Sequence, residues 1–222
     1  MKNNYPEKPT DKAKIDSTEY DGKLLGKNQY GTVHLHGPYG NTDSNIKIAY
    51  NIGMHPLESK SHRALFEKIR QHSKKLNYQY YIYNISVEGE LDQKTEGRMD
   101  GQLLAKEFVA PHIINGNYTF FVDIHSNKGL KGPGKYEITN FVFAPGFDDN
   151  SENYMQTLID NIEEITYYAP EYRTSPEYIT VPVAESGIPT IVYETYSFEP
   201  MKTTCALAEK LVFNVDKLEF QH

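Results

Sequence analysis

The amino-acid sequence predicts a three-layer α/β sandwich with a mixed, partly parallel sheet. Apolar, β-branched runs alternate with helical patterns along most of the chain, and those patterns are long enough to cross over a sheet between parallel neighbours. The composition agrees: 222 residues with 38% hydrophobic, 24% charged, 15 Gly and 12 Pro describe a packed globular chain and exclude collagen, coiled coil and general disorder. Such a length buries a sizeable core without disulfides, and it predicts one domain over residues 23–222 behind a surface-draped leader, 1–22.

The elements follow in order. The leader, MKNNYPEKPTDKAKIDSTEY and the two residues after it, is charged and turn-rich, with too few apolar groups to bury. Runs rich in Val, Ile, Tyr and Phe predict strands over 32–36, 46–52, 79–87, 118–124, 138–144 and 189–193. Between them, helical spacing of apolar residues predicts helices over 58–76, 100–113, 151–166 and 201–215.

Charge and cysteine content narrow the function. The net charge of −7 disfavours a phosphate backbone as the main partner, so no nucleic acid is expected. Cys205 is the single cysteine, so no internal disulfide forms and no oxidising compartment is required; it is expected as a buried thiol in a helix. No apolar run approaches the roughly 18 residues of a membrane-spanning helix, and the N-terminal lysines precede no signal-peptide core, so a cytoplasmic protein off the membrane is expected.

In open α/β sheets ligands collect beyond the carboxyl ends of strands, and three such ends carry ligand-type side chains. IKIAYNI runs into Gly53-Met-His55-Pro-Leu-Glu58, where Pro56 breaks the strand after His55 and Glu58 enters the first helical turn. The apolar strand YTFFV runs into Asp123-Ile-His125-Ser126, with Asp123 on the same strand face as His125 and placed to orient its ring. PTIVY closes on Glu194, whose charge calls for a cation, a raised pKa or a catalytic proton. Catalytic zinc keeps three protein ligands and an open position, with a nearby carboxylate to move a proton, and His55, Glu58, His125 and Glu194 supply that inventory.

GMHPLE, VDIHS and PTIVYET, in that order, resemble the zinc metallocarboxypeptidases and the related succinylglutamate desuccinylase and aspartoacylase group, over roughly residues 46–200. The resemblance implies a zinc carboxypeptidase-like fold, zinc held by His55, Glu58 and His125, and Glu194 as general acid/base. It also implies an arginine between the second and third ligands that polarises the scissile carbonyl or grips a substrate carboxylate. Arg63 and Arg70 recur with helical period and are expected to face solvent, which selects Arg98 in the polar stretch EGRMDGQ. A tyrosine reaching over the substrate from the loop before the last strand would be Tyr172 or Tyr178.

The implied activity is hydrolysis of an amide bond in a small peptide, with deacylation of an N-acyl amino acid as the alternative. A non-catalytic binding or regulatory protein on the same fold is the reading from another class. Pro56-Leu57 stand where the family has small residues. The Asn-Arg pair with which many members hold a terminal carboxylate is missing, since Met99-Asp100 follow Arg98. These departures leave the substrate open between peptide and N-acyl amino acid.

Other motifs carry less. His34 and His36 have the spacing of an HxH metal pair, but the chain is too short for the barrel that uses it; they are expected as edge-strand or site-wall residues. His62, one turn beyond Glu58, is expected on a solvated helix face. GLKGPGK matches the start of a phosphate-binding loop, yet Tyr136 follows in place of Ser or Thr and a strand in place of a helix; it is expected as a loop beside His125.

Overall fold

The computed structural model describes residues 22–88, 97–132, 134–171 and 175–220. The leader therefore lies outside the described residues apart from Gly22. One sheet holds eight strands among the described residues: β1 (Lys23–Asn28), β2 (Gly31–Gly40), β3 (Lys47–Ile52), β4 (Gln79–Val87), β5 (Phe120–Asn127), β6 (Phe141–Phe143), β7 (Thr166–Tyr167) and β8 (Thr190–Tyr196). Their order is β1-β2-β4-β3-β5-β8-β6-β7. The centre, β4-β3-β5-β8, is parallel, whereas β1, β2 and β6 join antiparallel. The sheet is thus mixed and partly parallel.

Helices cover both faces, and the period of two in the strands decides which residues meet them. Ile48, Tyr50, Ile52, Val122, Ile124, Ile191 and Tyr193 face α1 (Ser59–His72), α4 (Asp149–Asn161) and α6 (Met201–Val215). The intervening Ala49 and Phe121 face the other layer: α2 (Arg98–Leu104), a π turn Ala105–Val109, α3 (Ala110–Ile114) and α5 (Thr180–Glu185). Burial of each large aliphatic side chain in these layers contributes about 1.5–3 kcal/mol. The three-layer α/β expectation matches.

Local departures have local causes. The Asp148 carboxylate accepts from Ser151 N at 2.6 Å and from Ser151 Oγ at 2.5 Å, so α4 starts at Asp149, ahead of the expected 151. It ends at Asn161, because Ile162 turns extended and enters the core. The helix expected over 58–76 is bounded by 3₁₀ turns, Pro56–Glu58 and Ser73–Lys75. Cys205 is half-buried on α6, short of the buried thiol expected.

The chain leaves β3 for β4 on one side and later returns to β5 on the other, and their crossovers run over opposite faces. The carboxyl ends of β3, β5 and β8 therefore open on a crevice between diverging connections.

Candidate metal centre

Backbone geometry sets the first arm. Gly53 has φ +84°, and a Cβ there would lie 2.0 Å from the Ile85 carbonyl oxygen, so the turn out of β3 requires glycine. The Pro56–Glu58 turn is closed by Glu58 N donating to His55 O at 3.0 Å, which brings both side chains to the same spot. Gly101 of α2 packs directly on the Met54 carbonyl, where a Cβ would sit at 1.8 Å, pressing the second layer against this turn.

Glu58 is the hub. His55 Nδ1 lies 2.9 Å from its Oε1, and His125 Nδ1, from β5, lies 2.9 Å from its Oε2. Arg98 Nη1 donates to Oε1 at 2.9 Å and the Ser126 amide to Oε2 at 3.0 Å. All three of His55, Glu58 and His125 are buried, with ligand-type atoms within 4.8 Å of one another. Among the described residues this is the one group of that kind.

Burial alone would raise the Glu58 carboxyl, but His55 and His125 outweigh it and hold the group well below the usual carboxylate range. Burial likewise opposes charge on His125, yet Asp123 and Glu58 push its pKa well up. Its Nε2 lies 2.9 Å from Asp123 Oδ2, so both ring nitrogens face carboxylate oxygens. With Nε2–H given to Asp123, the inner nitrogen must hold a proton or a metal cation to meet Glu58 favourably. Two inward imidazole nitrogens, one carboxylate and an engaged outer nitrogen fit zinc. His55 Nε2 meets the Gln102 amide at 3.4 Å, and burial lowers its pKa overall.

Glu194 on β8 sits in register with His125 and lines an open cleft with Glu58, Arg98 and Tyr136. Burial, then repulsion from Glu58, push its carboxyl up to about 7. Asn127 Nδ2 donates to Glu194 Oε2 at 3.1 Å and to Thr139 O at 2.9 Å, while its Oδ1 accepts from Gly129 N at 3.0 Å. One asparagine thereby ties this carboxyl to the glycine-rich turn that borders the cleft.

No protein-family model and no curated protein sequence matches the chain. Solved structures do. A metallo-carboxypeptidase from Burkholderia cenocepacia superposes with TM-score 0.53 at 11% identity, covering 86% of this chain and 62% of that one. A metallo-carboxypeptidase from Pseudomonas aeruginosa in complex with (2-guanidinoethylmercapto)succinic acid gives 0.50 at 12%, covering 84% and 60%. The product-bound cell shape determinant Csd4 from Helicobacter pylori gives 0.56 at 9%, covering 82% and 54%. The chain has the metallo-carboxypeptidase fold. It spans between about half and two-thirds of those chains' length.

Within the metallo-carboxypeptidase fold the other expected residues fall as follows. His34 and His36 stand on β2, away from the centre, with His36 edge-on to Phe66 at 4.9 Å. His62 corrects its expectation, because it is buried: Gly53 N donates to its Nδ1 at 3.2 Å, and its Nε2 donates to Ile124 O at 3.1 Å. Arg63 and Arg70 are exposed as expected. Gly129, Gly132 and Gly134 of GLKGPGK line the cleft. Tyr172 lies outside the described residues, and Tyr178 stacks under Lys106 at 6.0 Å. Tyr136, read in the sequence only as a mismatch to a phosphate loop, is the tyrosine lining the cleft, its ring held by Phe141 and Tyr168. Its signal was its place two residues after a glycine-rich run beside a strand end.

Proposed function

We propose that this protein is a zinc-dependent hydrolase of amide bonds that acts on small peptides in the manner of a carboxypeptidase. The observation that carries the reading is the convergence of His55 Nδ1, His125 Nδ1 and Glu58 beside a second carboxyl, Glu194, in one cleft. His55, Glu58 and His125 would hold the ion, and zinc bound there would supply a Lewis acid that polarises a carbonyl and acidifies water. Glu194, balanced near neutrality, accepts a proton from the attacking water and returns it to the leaving amine nitrogen. Arg98, fixed at the cleft wall by Glu58, directs its remaining N–H donors at the carbonyl oxygen as charge develops on it. The Helicobacter protein is also described bound to a tripeptide, and ligands of that size support a small peptide here.

Deacylation of an N-acyl amino acid uses the same groups. It stays open because Met99-Asp100 follow Arg98, where an Asn-Arg pair would grip a peptide's terminal carboxylate.

Zinc content of the wild type, His55→Ala and His125→Ala tests the centre; wild-type stoichiometry with loss in both variants is expected, and stoichiometric zinc in both variants refutes the ligand set. A panel of C-terminally free peptides, their amides and N-acyl amino acids separates the two activities. Zinc-loaded protein that turns over none of them would point to a binding protein instead.

A further inference from the structure

We propose that Asn51 is a positioning residue for the metal centre, acting through Asp123 to hold the imidazole of His125 in its ligating orientation. The inference rests on the reading that His55, Glu58 and His125 bind zinc. Asn51 and Asp123 are register partners on the adjacent parallel strands β3 and β5, and His125 follows two residues along the same face. Asn51 Nδ2 donates to Asp123 Oδ1 at 2.8 Å, and Asp123 Oδ2 accepts from His125 Nε2 at 2.9 Å. The three residues form a line from the interior of the sheet to the ligand, with Asn51 and Asp123 both 0% exposed.

The setting makes the asparagine costly unless it has a task. Its strand neighbour on that face is Ala49, and Phe121 precedes Asp123 there, both in an apolar cluster. Among the described residues Asn51 Oδ1 has no hydrogen-bond partner, so half of the amide is buried unsatisfied, at a cost of about 1–3 kcal/mol. Its other half serves Asp123. Without that donor, Asp123 Oδ1 would lose its bond and the carboxylate would be free to rotate away from the imidazole. An acceptor fixed behind a ligating histidine sets which ring nitrogen is left for the ion, and partners at this remove change metal affinity by about 10–100-fold. Among the described residues His55 has the Gln102 amide at 3.4 Å behind it and no carboxylate, so His125 is the arm on which such support is concentrated.

The test is a zinc titration against a competing chelator on metal-free wild type, Asn51→Ala and Asn51→Leu, with thermal unfolding of each metal-free protein. Leucine is close in size and lacks the donor, so it serves if alanine leaves too large a cavity to fold. We expect zinc to bind about 10–100-fold more weakly in either variant, while the metal-free melting temperature falls only modestly, because removal of the unsatisfied Asn51 Oδ1 offsets part of the cost of leaving Asp123 Oδ1 without its donor. In the zinc-loaded proteins the His125 Nε2–H proton resonance should move upfield and exchange faster with water. Wild-type zinc affinity in whichever variant folds overturns the proposal. A wild type that binds no zinc overturns the metal reading instead, and the two failures are distinguished by the wild-type titration alone.

Discussion

Two buried histidine environments lie within one turn of α1 and have opposite character. At the strand ends His55 and His125 aim their inner nitrogens at Glu58. His62, four residues beyond Glu58, spends both nitrogens on backbone, accepting from Gly53 and donating to Ile124. Burial is common to both and so decides nothing. What differs is the partner: a carboxylate and an imidazole nitrogen that face each other can share a cation, whereas backbone donor and acceptor saturate a neutral imidazole. His62 ties the exit of β3 to β5, one residue before His125, and so serves as the brace of the centre and not as its ligand.

The largest expected effect lies on the reactive side. Glu194→Gln should retain stoichiometric zinc while kcat falls by about 10²–10⁴-fold, the range for loss of a general acid/base. Undiminished turnover would remove Glu194 from the chemistry.

His62→Ala tests the other side. It strands the Gly53 N–H and the Ile124 carbonyl in a buried place, each costing about 1–3 kcal/mol, so denaturant unfolding of the metal-free protein should show a loss of about 3 kcal/mol. If the variant instead keeps its stability and loses its zinc, the distinction between brace and ligand fails.

The pH dependence follows from the same residue. Burial lowers His62 from an ordinary 6.5 to about 4, with Glu58 opposing and His125 reinforcing the shift. Between those values the unfolded chain takes up a proton that the folded chain refuses, so stability is full above about 6.5 and falls as pH drops toward 4. The drop from this group is at most about 3 kcal/mol. His62→Gln keeps a donor and an acceptor without a titrating proton, and it should flatten that limb of the stability curve; an unchanged acid limb would assign the effect elsewhere, with His36, lowered to about 4 by burial and by His34 and Arg70, as the next group to examine.

The same contrast explains what could be read in the sequence. His55, Glu58, His125 and Glu194 each follow an abrupt change from apolar to polar residues, a pattern visible along the chain, although β5 and β8 run on through His125 and Glu194 to Asn127 and Tyr196. Asn51 and Asn127 are ordinary residues whose partners are chosen by strand register, and Gln102 meets His55 only through the packing of α2 on the turn after β3: Asn51 meets Asp123 because β3 and β5 are neighbours with those two residues opposite. His62 looked solvated because Arg63, Glu67 and Arg70 surround it in sequence. Its own side of α1, with Leu65, Phe66 and Ile69, turns to the sheet. The layered fold was legible from alternation, whereas β1 (KLLGKN), the two-residue β7 and α5 (TVPVAE, with Pro182 inside it) carry no apolar period to read.

The smallest expected effect probes how the cleft wall is joined to the centre. Lys60, on the first turn of α1, donates from Nζ to Ser197 O at 2.8 Å and to Glu199 O at 2.7 Å, tying the helix that follows Glu58 to the segment that follows Glu194. Ser197 also reaches Ser126 through their hydroxyls at 2.9 Å, so this segment is stitched to both β5 and α1. Lys60→Met keeps the aliphatic stem and removes the charged donor. The site is partly exposed, so stability should fall by only about 1 kcal/mol. Zinc affinity should stay at the wild-type value, because no ligand moves. The change should appear as a KM raised by roughly threefold to tenfold with kcat nearly constant, the signature of lost substrate positioning without lost chemistry. A fall in kcat at constant KM would instead mean that the 197–199 segment holds Glu194 in place, and would shift the brace of the reactive side from Asn127 to this lysine.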